Sequence, residues 1–228
     1  GIHRRNGPIK LFTGKKLGIQ TEHYYDETKK VMTNRSNEKK NITVATKKLD
    51  LVLDINRANS KLYDEMADSI RSKIVFGPHI FGKKASKINL GTTHKFIFLG
   101  TITERRETIL KELDPKKFVH LDQNIFGDEL VDATSSYRGL LNIHSKDGIY
   151  TEAPRMLLSL KLGKVLISEL LSSDFVPGEH YVLLERHDAP DDHTKIFENL
   201  ASVTRSKFSF EEILYREELL GDQKKSVI

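Results

Sequence analysis

The chain contains no cysteine and no tryptophan, and only six prolines in 228 residues. Without cysteine there is no disulfide, no thiolate nucleophile and no zinc–cysteine site. Aromatic residues make up 8%, which leaves no evident platform for stacking nucleic-acid bases. No apolar run approaches the roughly 20 residues of a membrane-spanning helix. The opening "GIHRRNGPIK" is basic and turn-rich, unlike a secretory signal. With the lack of cysteine, this leads us to expect a cytoplasmic protein. The sequons at Asn34 and Asn41 are then chance matches. Gly-x-x-x-x-Gly-Lys-Ser/Thr, His-Glu-x-x-His, Gly-x-Ser-x-Gly and Gly-x-Gly-x-x-Gly are all missing. Their absence disfavours a P-loop nucleotidase, a zincin, a serine hydrolase and a dinucleotide enzyme.

What is present is a globular composition, 38% hydrophobic and 30% charged, sufficient for a substantial core. The net charge of +5 is unevenly spread: residues 1–90 hold 19 Lys+Arg against 9 Asp+Glu, and residues 91–228 hold 18 against 23. Two readings of the basic front half stand side by side: a solvated lysine-rich surface, or attraction of an anionic partner.

Residues 27–48 are polar, lysine-rich and without clear period, and read as a mobile loop. Around them, "KLGIQTEH", "LDLVLDI" and "IVFGP" read as strands, and "NSKLYDEMADSIRSK" as a helix capped by Asn59 or Ser60. Residues 82–94 read as a linker. From residue 95 onward, strands "KFIFLG", "FVHLD", "GLLNIH", "KVLISE" and "HYVLLE" alternate with helices led by Thr103, Gly127 and Pro154. Two amphipathic helices, "HTKIFENLASV" and "FSFEEILYREELL", end the chain. Continuous apolar strands alternating with helices imply an α/β protein, a Rossmann-like parallel sheet with helices on both faces. The expected domains are a short, incomplete α/β region over 1–90 and a Rossmann-like domain with C-terminal helices over 91–228.

In such a sheet, ligands bind beyond the carboxyl ends of the strands. That edge is expected to gather Gly100, Asn124, Asn142, His144, Ser145 and Glu169, with Glu152 and Arg155 at the head of the Pro154 helix. A helix N-terminus with unpaired N–H groups suits a phosphate or diphosphate, and Arg155 would add a bidentate contact or else pair with Glu152. Glu152 would bind a sugar hydroxyl or complement the helix terminus. Arg105 and Arg106 would reach phosphates or form a solvated face. His144 would act as a base or hydroxyl partner, or be structural. "HDAPDDH", residues 187–193, reads as a polar loop rather than a metal site.

The segments "KFIFLGTITERRETIL", "GLLNIHS", "EAPRMLLSLKLGKVLISE" and "FVPGEHYVLL" together resemble the nucleotide-sugar-binding half of GT-B glycosyltransferases, with the nearest echo in CgeB-type proteins. The resemblance covers about residues 95–205. Residues 17–80 resemble the end of the other, acceptor-side half. Many retaining enzymes of this type have a ribose-binding glutamate where Leu158 stands here. The resemblance implies metal-independent glycosyl transfer, with a nucleotide-sugar as donor substrate and no separate cofactor. The acceptor is a glycan or another anionic molecule, and its base is Glu22 or His23. A larger glycosyltransferase chain or a membrane surface are further expected partners, and nucleic acid a less favoured one. Two alternatives stay open: a non-catalytic nucleotide-sugar-binding module, and a nucleic-acid-associated, base-modifying glycosyltransferase.

Overall fold

The computed structural model describes residues 2, 13–33, 36–121, 125–187 and 192–216. It divides into two compact units, one of residues up to Lys83 together with the segment from Lys207, the other Lys84–Ser206. Both are α/β. Among the described residues, no helix is long and apolar enough to cross a membrane.

In the first unit, β1 (Leu17–Gln20), β2 (Leu51–Asp54) and β3 (Ile74–Phe76) form a parallel sheet in that order. The lysine-rich stretch read as a mobile loop holds a helix, α1 (Ser36–Thr46). Its apolar residues are sparse, but Ile42, Ala45 and, beyond the helix end, Leu49 are all buried, at the i, i+3, i+7 spacing of one helix face. The expected helix over 59–73 is instead a 3-10 helix, Arg57–Tyr63, followed by a single turn, α2 (Asp68–Arg71). Asn56, not Asn59 or Ser60, is its cap.

The two faces of β2 are covered by different parts of the chain. Val52 joins Ile42, Ala45 and Leu49 in one cluster. Leu51 and Leu53 pack instead with Ile213 and Phe210 of α7 (Phe210–Arg216), as period-two alternation of a strand requires. The Phe81 carbonyl accepts the Phe210 N–H at 2.9 Å. The expected boundary, with all C-terminal helices in the second domain, is therefore amended: the last helix completes the first core.

The second unit has five parallel strands, β4 (Phe96–Leu99), β5 (Phe118–Leu121), β6 (Gly139–Asn142), β7 (Val165–Ser168) and β8 (Val182–Leu183), in spatial order β5-β4-β6-β7-β8. Helices α3 (Glu104–Glu112), α4 (Gly127–Thr134) and α5 (Ala153–Leu162) connect them, and α6 (His193–Lys207) follows. β8 is shorter than "HYVLLE" suggests, because Leu184–Arg186 turns into a 3-10 helix. Phe96, Phe98, Leu141, Val165 and Ile167 form the core with Ile196 of α6 and Ile109 of α3. Thr103 caps α3 as expected, its hydroxyl accepting the Arg106 N–H at 3.3 Å. Gly163 ends α5 at φ 69°, and a Cβ there would strike the Lys87 carbonyl. The expected linker is thus strapped to α5, with Asn89 N–H donating to the Gly163 carbonyl at 2.7 Å.

Ile213→Ala is expected to destabilise the first unit by about 2–4 kcal/mol, the cost of a cavity in a buried apolar contact. Chemical denaturation measures this, and unchanged stability would place α7 outside that core.

Candidate functional site

The strand order of the second unit places the site. From β4 the chain crosses to β5 on one side, and from β6 it crosses to β7 on the other. β4 and β6 are neighbours, so a crevice opens between the segments that leave their carboxyl ends. Gly100, Thr101, Ile143, His144 and Ser145 lie there, and Glu169 follows β7.

Glu152, the cap residue of α5, is the hub. Its carboxylate accepts from the Arg106 guanidinium at 3.2 and 3.4 Å, from Arg155 Nε at 2.9 Å, from the Ser145 N–H at 3.2 Å and from the Tyr150 hydroxyl at 3.4 Å. Arg106 is buried and also donates to the carbonyls of Ile143, at 2.8 Å, and Thr101, at 3.0 Å. It thereby ties the ends of β6 and β4 together. Arg155 donates to the Leu99 carbonyl as well. Both guanidiniums lie over the Phe98 ring, 5.4 and 5.0 Å from its centroid, a cation–π arrangement. Burial holds Arg155 below its ordinary pKa, and neighbouring Arg106 adds to the fall while Glu152 opposes it. Gly100 has φ 130°, and a Cβ there would collide with the Arg155 guanidinium.

A second pair lies beside the first. Arg105 engages both oxygens of Glu169, and its guanidinium also donates to the His144 carbonyl at 2.9 Å. Glu169 holds Arg105 above its ordinary value. Glu169 also accepts the His144 N–H at 2.6 Å. His144 is buried. Its Nδ1 lies 3.1 Å from the Gly148 carbonyl, and its ring stacks on Tyr150 at 4.1 Å. That contact assigns the proton to Nδ1. Nε2 is then a lone-pair acceptor, buried with no hydrogen-bond partner among the described residues. Burial lowers the His144 pKa, with Glu169 and Glu152 opposing. The imidazole is thus kept neutral and suited to accept a hydrogen bond. Asn142 donates to the Ser168 hydroxyl at 2.9 Å, and its Oδ1 is likewise buried without a partner among the described residues.

The structure thus brings Gly100, Arg105, Arg106, Asn142, His144, Ser145, Glu152, Arg155 and Glu169 to one strand edge. Asn124 lies outside the described residues, as do residues 188–191 of the "HDAPDDH" loop. Two expectations change. Arg106 is a buried internal tie, neither an outward phosphate hand nor a solvated face, and Arg155 takes the pairing with Glu152 that was one of its two readings. The first turn of α5 is also closed: Ala153 N–H donates to the Thr151 carbonyl at 2.9 Å, Pro154 has none, and Arg155 N–H donates to the Glu152 carbonyl at 2.9 Å. Tyr150 was not singled out from sequence. Its role arises from the tight turn at Gly148, which folds it back onto His144.

Glu22 and His23 lie elsewhere, in the loop after β1 of the first unit, half-buried. Beneath them is a polar network that sequence reasoning also missed. Asp54, fully buried at the end of β2, accepts from Asn59 at 3.0 and 3.2 Å, from the Tyr63 hydroxyl at 2.8 Å and from the Asn56 N–H at 3.0 Å. Asn59 in turn donates to the Glu22 carbonyl at 2.8 Å and accepts the Tyr24 N–H at 2.9 Å. Among the described residues no cation contacts this carboxyl, and burial raises its pKa from 3.8 to about 7, its hydrogen bonds opposing. A carboxyl ending the apolar run "LVLD" was the signal available in sequence.

No family model matches the sequence, and no curated protein matches it. Solved structures do. The chain superposes on a variant of S. aureus TarM in complex with fondaparinux, alpha-GlcNAc-glycerol and UDP, at TM-score 0.53 and 10% identity. The match covers 89% of this chain and 50% of that one. The fold is similar to that of GT-B glycosyltransferases. At that identity the likeness is one of fold, and the chain spans about half of TarM's length. A structure of accessory secretory proteins 1, 2 and 3 of Streptococcus pneumoniae also matches, at TM-score 0.48 and 10% identity, over 93% of this chain and 54% of that one.

Glu152→Gln is expected to destabilise the second unit by about 3 kcal/mol, since it strips the carboxylate from buried Arg106 and half-buried Arg155; denaturant titration reads this directly. Asp54 makes a pH prediction. Its folded pKa lies above the unfolded value, so the native state holds a proton that the unfolded chain releases. The stabilisation is complete at low pH and is lost as pH rises through about 7. The stability of the unmodified protein, relative to Asp54→Asn, should therefore fall by about 2–3 kcal/mol between pH 5 and pH 8. Parallel stability curves for the two proteins would show that Asp54 does not titrate there.

Proposed function

We propose that this chain transfers a sugar from a nucleotide-activated donor, with the 84–206 unit holding the donor. The observation that carries the reading is the charged cluster at the strand-order switch of a fold similar to TarM, which was solved with UDP and alpha-GlcNAc-glycerol. The narrower resemblance to CgeB-type proteins rests on the order Asn142-x-His144, Arg155-led helix, Gly163, strand.

The diphosphate sits against the turn at Gly100 and the first N–H groups of α3, which have no intrahelical partner. Arg105 is the most open of the three arginines, its side chain 27% exposed against 7% for Arg106 and 19% for Arg155. It meets the phosphate oxygens, while Arg106 and Arg155 act as positioning residues behind it. Glu169 and the His144 Nε2 lone pair take donor hydroxyl hydrogens. In the reaction, the bond from the sugar's anomeric carbon to the diphosphate oxygen breaks, and the leaving oxygen keeps the electron pair. A bond from the acceptor oxygen to that carbon forms, and the acceptor proton passes to a general base. Positive charge at Arg105 and the α3 terminus stabilises the leaving group as charge develops.

A non-catalytic nucleotide-sugar-binding module is the second reading. The closed, internally paired state of Arg106 and Arg155 and the presence of Leu158 favour it. Turnover of a bound donor separates the two.

Calorimetry with UDP and related nucleoside diphosphates tests the site. Arg105→Ala should weaken binding by about 1.5–3 kcal/mol, the scale of a charge-assisted contact; full affinity in that variant removes Arg105 from the site. Transfer should survive EDTA. Loss on chelation, restored by manganese or magnesium, would require a different catalytic design.

A further inference from the structure

The first unit carries an open groove of about 600 Å³, walled by α1 on one side and by the chain from Lys61 to Ile70 on the other. Neither Glu22, His23 nor any residue of the strand-edge cluster lines it. Lys40 and Thr43 come from α1 and Lys47 from the turn just after it, at i, i+3, i+7 spacing. Lys61 stands on the opposite wall, its ammonium 5.4 Å from the centroid of the Tyr25 ring. None of the three lysines has a carboxylate partner among the described residues. Two exposed carboxylates, Asp64 and Glu65, share the rim. Half-buried Leu62, Met66 and Ile70 add an apolar strip.

The volume falls within the range of ligand clefts. The spacing says which ligand. Lys47 stands seven positions after Lys40, about 10 Å farther on at a helical rise, more than one phosphate or carboxylate spans. The ligand therefore carries several negative groups along a chain. A concave wall with an apolar strip fits an extended chain with ring C–H faces better than a flat lipid surface. We propose that this groove binds an anionic oligosaccharide, whose carboxylate, sulfate or phosphate groups meet Lys40, Lys47 and Lys61 while its rings lie on Leu62, Met66 and Ile70. The groove as an anion site is independent of catalysis; only the saccharide nature of its ligand rests on the transferase reading. Binding is therefore measured with no donor present.

The test uses the full chain and a fluorescent dextran sulfate oligosaccharide, with neutral dextran of equal length, inorganic phosphate and phosphatidylglycerol vesicles as comparators. The expected result is binding of the sulfated chain alone, weakening as salt rises. The triple variant Lys40→Gln, Lys47→Gln, Lys61→Gln should lose about tenfold or more in affinity, with an unchanged melting temperature and unchanged UDP binding. Thr43→Glu, which sets a carboxylate between two of the lysines, should weaken binding in the same direction. Undiminished affinity in both variants would overturn the proposal. So would equal binding of neutral dextran, or competition by inorganic phosphate as effective as by the chain. Vesicle binding that depends on these lysines, without oligosaccharide binding, would reassign the groove to a membrane surface.

Discussion

Two guanidiniums share one carboxylate at the edge of the second sheet, and much else in that unit follows from this. Glu152 holds Arg106 and Arg155. Through them it reaches the carbonyls of Leu99, Thr101 and Ile143, where β4 and β6 end. Buried cations are tolerated only when paired and fully hydrogen-bonded, so the cluster constrains its surroundings tightly. It accounts for the glycine at position 100, where a side chain would displace Arg155, and for Phe98 beneath both arginines. Beside this cluster lie the Arg105–Glu169 pair and His144, which burial holds below its ordinary pKa.

The first unit solves a similar problem differently. Asp54 ends a parallel strand, and neutral amides and a phenol hold its carboxyl. Burial pushes this carboxyl up to about 7 against the pull of those hydrogen bonds, whereas a carboxylate paired with a cation is held below its ordinary range. The same amides hold the loop that carries Glu22 and His23, so the local backbone depends on a group whose charge changes near physiological pH. A groove of this unit gathers Lys40, Lys47 and Lys61 in a concave form.

The last helix links the two halves of the chain in sequence. After α6 closes the second core, α7 covers Leu51 and Leu53 of the first. A boundary drawn at residue 90 from composition would leave that face of β2 uncovered, and a two-faced parallel sheet cannot be stable half-wrapped.

The α/β class, the run of elements from Phe96 to Ser168, the Thr103 cap and the Gly163 stop were all decided locally. Continuous apolar strands, a hydroxyl ahead of a helix and a glycine after one act through neighbouring residues alone. The same holds for the gathering of Gly100, His144, Ser145 and Glu169 at one edge, because parallel strands place all their carboxyl ends together. Helix α1 was hidden because its buried positions are sparse among lysines and gain their stability from tertiary packing. The pairing of Arg106 and Arg155 inward, the stacking of Tyr150 on His144, the amide cage around Asp54 and the membership of α7 were decided only in three dimensions. Each depends on desolvation by residues distant in sequence, and whether a charge faces inward or outward is set by what buries it rather than by its place in the chain.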